Sequence, residues 1–116
     1  MGKINSRDKG ARAEREFAKM LREHGYEAER GCQHSGGKDS PDIKCNMPGC
    51  HWEIKHVERL QLDSAMEQSK RDARDNETPT VVHRKNRQKW RITMTLEDFM
   101  PFFMAYVEQQ KGQNND

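Results

Sequence analysis

Apolar residues recur along this chain with two periods, and each period predicts its own kind of element. Upstream of Gly25, a step of ~100° per residue gathers Ala13, Phe17, Met20 and Leu21 on one side and Arg12, Arg15, Glu16, Lys19, Arg22 and Glu23 on the other, the pattern of an amphipathic helix. Ser6 suits the cap, Asp8 the first turn and Gly25 the stop, so the first helix is expected over residues 7–24. Glu14 breaks the division, because it projects beside Leu21 at the edge of the apolar stripe, where a carboxylate is costly unless it meets a cation or solvent in a cleft. Alternation by two follows. Residues 26–30 predict a short strand and Gly36-Gly37 marks residues 31–40 as a loop. Asp42-Ile43-Lys44-Cys45 and His51-Trp52-Glu53-Ile54-Lys55 predict two strands joined by the turn-forming Asn46-Met47-Pro48-Gly49, hence an antiparallel hairpin. Period two puts Trp52 and Ile54 on one face of the second strand and Glu53 and Lys55 on the other, with Asp42 able to approach the Glu53 face.

Further along, Asp63 or Ser64 is suited to cap a second helix running to about Asp75, with Leu62, Ala65, Met66, Ser69 and Ala73 inward. Residues 80–83 and 90–94 read as strands, and Thr95-Leu96-Glu97-Asp98 opens a final helical segment that Pro101 splits or kinks. The expected class is therefore α/β, in the order helix, strand, strand, strand, helix, strand, strand, helix, with one domain over residues 1–108 and a polar, disordered tail over 109–116. Leu, Ile, Val and Phe number only 16 of 116 residues, a thin core that favours burial against a partner or a second copy of the chain. Phe99, Phe102, Phe103, Met104 and Tyr106 are the most apolar cluster; core is its default role and a homodimer contact the second.

Net charge is only +2, but it is unevenly placed. No carboxylate occurs from Thr78 to Leu96, where Arg84, Lys85, Arg87, Lys89 and Arg91 crowd around Trp90, a patch that fits a polyanion or, more plainly, a solvated hairpin. No run approaches the roughly 18 apolar residues of a membrane span, the start lacks an export-type apolar stretch, and three cysteines suit a reducing cytoplasm.

Asp42, Glu53 and Lys55 carry the candidate chemistry. Carboxylate oxygens are the ligands Mg²⁺ prefers, Mn²⁺ being able to substitute, and a lysine two residues from a ligand can orient an attacking water and offset phosphate charge. In a chain that is 34% charged the same spacing also arises by chance, as an exposed strand face with an ordinary ion pair. Cys32-x-His34 and Cys45-x(4)-Cys50-His51 offer enough donors for zinc. Neither is a Cys-x(2)-Cys knuckle, however, and a strand sends Cys50 and His51 to opposite sides, so free thiols packing as small apolar groups are expected instead.

With their flanks, Pro41-Asp42 and Glu53-Ile54-Lys55 resemble the PD-(D/E)xK nuclease motif, and Lys9-Gly10-Ala11-Arg12-Ala13-Glu14-Arg15-Glu16 resembles the N-terminal helix signature of archaeal-type Holliday junction resolvases, a likeness that extends to short members encoded by bacterial viruses. The resemblance covers about residues 9–94 and implies a restriction-endonuclease-like mixed sheet flanked by helices. It implies a Mg²⁺-dependent DNA endonuclease that resolves four-way junctions as a homodimer, with Asp42 and Glu53 as metal ligands, Glu14 completing the site and Lys55 positioning water. Ser35 falls in a loop resembling the family's junction-contacting loop, Arg84, Lys85, Arg87, Lys89 and Arg91 would track phosphates, and Gln68 is the nearest match to a polar residue of the family's second helix. Two other readings share these residues in whole or part: a nuclease of the same fold acting on duplexes or flaps, and a DNA-binding protein without catalysis, against which the intact acidic and lysine set speaks.

Overall fold

The computed structural model describes residues 6–31, 42–46 and 49–114. They form α1 (Ser6–Glu23), β1 (Ala28–Arg30), β2 (Ile43–Cys45), β3 (Cys50–His56), α2 (Leu62–Asp72), β4 (Thr78–Arg84), β5 (Arg91–Thr93) and α3 (Leu96–Asn114), in the order expected from the pattern. Gly25 ends α1 as anticipated: its φ of 94° is left-handed, its N–H donates to Arg22 O and that of Tyr26 to Leu21 O, which satisfies carbonyls the helix end would otherwise strand.

The five strands of the described residues are divided between two sheets. β1 and β2 pair antiparallel, Ala28 opposite Cys45 and Arg30 opposite Ile43, while β3, β4 and β5 form a mixed sheet in which β3 and β4 are parallel and β4 and β5 antiparallel. Among the described residues β2 and β3 share no ladder, so the expected β2–β3 hairpin is not found. Asn46 directs its hydrogen bonds back to β1, accepting from Glu27 N at 3.0 Å through its side chain and donating its own N–H to Glu27 O at 2.9 Å. Gly49, at φ 114°, leads into β3, and its carbonyl accepts from Thr78 N at the start of β4. A parallel pair needs a crossover, and α2 supplies it.

The core follows α1's stripe. Ala13, Phe17, Ala18 and Leu21 are buried against Ala28, Ile43, Ile54 and Val82, with the Phe17 and Trp52 rings 5.1 Å apart and tilted. On the sheet's other face α2 buries Ala65 and Ser69; it starts after Gln61 with no side-chain cap, so Asp63 sits in the first turn rather than at the cap, and it ends at Asp72 because Ala73 is extended. α3 is one helix that contains Pro101, capped by Thr95, whose Oγ1 accepts from Asp98 N at 3.1 Å. It runs to Asn114, through most of the stretch expected as a disordered tail. Its aromatic cluster is not core within this chain: Phe102, Phe103 and Tyr106 are 43%, 46% and 58% exposed.

Candidate active site

Strand β3 organises the polar groups because its two faces and its edge each meet a different element. Even-numbered Ile54 and half-buried Trp52 pack toward α1. Odd-numbered His51, Glu53 and Lys55 lie on the opposite face, where α2 crosses. Among the described residues no ladder strand lies on the edge away from β4, and there Asp42, just before β2, accepts a hydrogen bond from Ile54 N at 3.1 Å.

Along the odd face the polar groups interlock. Glu53 is 3% exposed; its Oε1 lies 3.2 Å from His51 Nε2 and its Oε2 3.6 Å from Lys55 Nζ. Lys55 also donates to Gln68 Oε1 at 3.3 Å, which joins the lysine to α2. One turn further along α2, Asp72 brings its carboxylate to the His51 end, so that donor atoms of His51, Glu53 and Asp72 all lie within 4.8 Å of one another. Burial draws the His51 imidazole toward neutrality, but the hydrogen bond and charge of Glu53, helped by Asp42 and Glu77, outweigh it and leave its pKa above the usual histidine value.

Asp42 and Glu14 lie outside that three-residue group among the described residues, yet the charges of Glu53 and Glu14 both reach Asp42. Burial, with the charges of Glu53 and Glu14, drives the Asp42 carboxyl up to about 7, against the opposing pull of the Ile54 N–H and Lys55. Glu14 is buried as its place on the apolar stripe foretold, and the cation it meets is Arg30 of β1, whose Nε donates to Oε1 at 2.7 Å. This is the kind of charge-assisted contact that a buried carboxylate requires.

The basic segment is split in two. Arg84 turns inward: its guanidinium stacks over Trp90 at 5.1 Å and pairs with Glu16 of α1 at 3.3 Å, while Trp90 Nε1 donates to the other Glu16 oxygen at 2.9 Å. It is thereby a clasp between the β4–β5 turn and the helix carrying Glu14. Lys85, Arg87, Lys89 and Arg91 are exposed. All of these but Arg87 line a cleft of about 460 Å³ with Arg59 and His83, and His83 is the register partner of Lys55, so the cleft opens one strand away from the odd face of β3.

Ser35, Cys32, His34 and Pro41 lie outside the described residues. Burial, and then the charge of Glu77, pushes the Cys50 thiol up, and among the described residues no cysteine belongs to a group of three converging donors. Asp72 and Arg30 carry no motif and sequence reasoning passed over both, while it weighed His51 only as a zinc donor beside Cys50. The parity of 51, 53 and 55, and the spacing of four from Gln68 to Asp72, are the signals that could have placed His51 and Asp72.

The described helices include none long and apolar enough to cross a membrane. Residues 5–111 match the family model described as "Phage putative PDDEXK endonuclease". The chain belongs to that family. It is thus a member of the PD-(D/E)xK nuclease superfamily, and its mixed sheet with flanking helices agrees with the restriction-endonuclease-like architecture expected from the motif. No curated protein matches the chain.

Proposed function

We propose that this family member is a divalent-metal-dependent endodeoxyribonuclease that resolves four-way DNA junctions by paired hydrolysis as a homodimer, in the cytoplasm of the cell that holds that DNA. The observation that carries this reading is the meeting of the Asp42 edge with the Glu53 and Lys55 face on one strand. The residues fit a hard cation: burial, and then the charges of Glu53 and Glu14, raise the Asp42 carboxyl to about 7, and a divalent ion bound there would offset both. Asp42 and Glu53 would hold Mg²⁺, for which Mn²⁺ can substitute, and Glu14, already oriented by Arg30, would complete the site. When bound, the metal supplies Lewis acidity and a better nucleophile. Lys55, steadied by Gln68, presents its ammonium where it can orient the attacking water and offset phosphate charge.

Lys85, Arg87, Lys89 and Arg91 would follow the phosphate backbone, with Ser35 touching the junction, whereas Arg84 holds the turn against α1. Such contacts position DNA without reading its sequence, as a structure-selective enzyme requires. The exposed aromatic cluster of α3 supports a two-fold dimer, which would present two copies of the site to the two related strands of a junction. A panel of labelled four-way junction, flap and linear duplex tests the reading. Symmetric paired cuts in the junction are expected, and equal cleavage of all three favours a general nuclease of the same fold. Light scattering should report a dimer, and Phe103→Asp should give folded monomer.

A further inference from the structure

The seam between β3 and α2 holds donors to which the nuclease reading gives no part. His51 is 5% exposed, the side chain of Asp72 is 12% exposed, and with Glu53 they bring three donor atoms within 4.8 Å of one another. An ion ~2.1 Å from each of its donors keeps those donors ~3–4 Å apart, so the three groups need move little to close on one. Their supports are rigid. Thr80 Oγ1 donates to His51 O at 2.7 Å and Ser69 Oγ donates to Thr80 O at 2.8 Å, both buried, so β3 and the turn of α2 that ends at Asp72 are tied together through β4.

We propose that His51, Glu53 and Asp72 form a second cation site, on the α2 side of Glu53, which takes a nitrogen-accepting transition ion such as Mn²⁺ in preference to Mg²⁺. It rests on the nuclease reading only through Glu53, the one residue common to both positions. The chemistry of the donors decides the preference. Carboxylate and water suit Mg²⁺, whereas imidazole suits the later divalent ions and Mn²⁺ accepts both kinds of ligand. Three protein donors also leave coordination positions open, the arrangement of a site that exchanges water. Glu53 can serve two ions because its oxygens already point apart, Oε1 toward His51 and Oε2 toward Lys55.

The test is a Mn²⁺ titration of the chelator-stripped full chain in excess Mg²⁺, with free Mn²⁺ read by its paramagnetic resonance signal. Wild type should retain Mn²⁺ against Mg²⁺; His51→Gln and Asp72→Asn should each weaken that retention at least ~10-fold, and Asp42→Asn should preserve it. Thermal unfolding without metal checks each variant, and should His51→Gln fail to fold, the less buried Asp72→Asn decides. Mn²⁺ displaced from wild type by Mg²⁺, or folded Asp72→Asn holding Mn²⁺ as wild type does, overturns the site. Junction cleavage is assayed on the same samples in Mg²⁺ alone. Protein that holds Mn²⁺ in this way but cuts no DNA sinks only the nuclease reading, and protein that cuts but shows no Mg²⁺-resistant Mn²⁺ binding sinks only the second site.

Discussion

The two faces of β3 are built from alternate residues of one seven-residue strand, yet they solve opposite problems. Trp52 and Ile54 join Phe17 of α1 in an apolar layer whose burial stabilises the fold. His51, Glu53 and Lys55 gather charge against α2, where Glu53 is as deeply buried as Phe17 or Val82 of the core and is tolerated only because its oxygens meet His51 and Lys55. Among the described residues β3 is paired on one side alone; it supplies stability from one face, gathers polar groups on the other, and meets Asp42 at its second edge.

Substitutions should separate the faces. Glu53→Gln and Asp42→Asn should each lower cleavage by more than ~100-fold, since even groups that merely orient metal ligands are worth ~10–100-fold. DNA affinity and the cooperative unfolding transition should remain, as measured by titration and calorimetry. Ile54→Ala, on the opposite face, should instead cost about 2–5 kcal/mol of stability by denaturant unfolding, with the residual folded protein still cutting. If Ile54→Ala leaves stability unchanged while Glu53→Gln unfolds the chain, the division of labour is wrong.

A pH scan sharpens the same contrast. In the folded, metal-free protein the Asp42 pKa stands at about 7, above its ordinary 3.8, so the native state binds this proton more tightly than the unfolded chain. The contribution of this group is fully present below about pH 4 and is lost as pH rises toward 7. Asp42→Asn should flatten that part of the stability curve, whereas Ile54→Ala should shift the curve without changing its slope. The smallest effect belongs to the basic turn: Arg87→Ala with Lys89→Ala should shallow the log–log salt dependence of duplex-arm binding by about 0.9 per lost contact. An unchanged slope would remove this turn from the DNA interface.

How much of this was legible in the sequence depended on how local its causes were. The stripe of α1, the conflict posed by Glu14 and the parity of β3 follow from helix and strand periods alone, and each is found where the period put it. The hairpin was misread because Asn46 bonds to Glu27, nineteen residues away, and no local turn preference records such a partner. Arg84 read as a surface cation for the same reason, since Glu16, which anchors it, lies 68 residues earlier in the chain. In α3 apolar residues occupy positions around the helix rather than one stripe, so the sequence showed that the cluster wants burial but not that this chain leaves it exposed.

The central claim, metal-dependent hydrolysis of branched DNA at the Asp42, Glu53 and Lys55 site, is tested most directly by incubating an end-labelled four-way junction with the purified chain in Mg²⁺, with chelator and with Glu53→Gln alongside. The account predicts paired, symmetric cuts by the wild-type protein in Mg²⁺ and none in the other two reactions. Cleavage at the wild-type rate by Glu53→Gln, or in the presence of chelator, would contradict it.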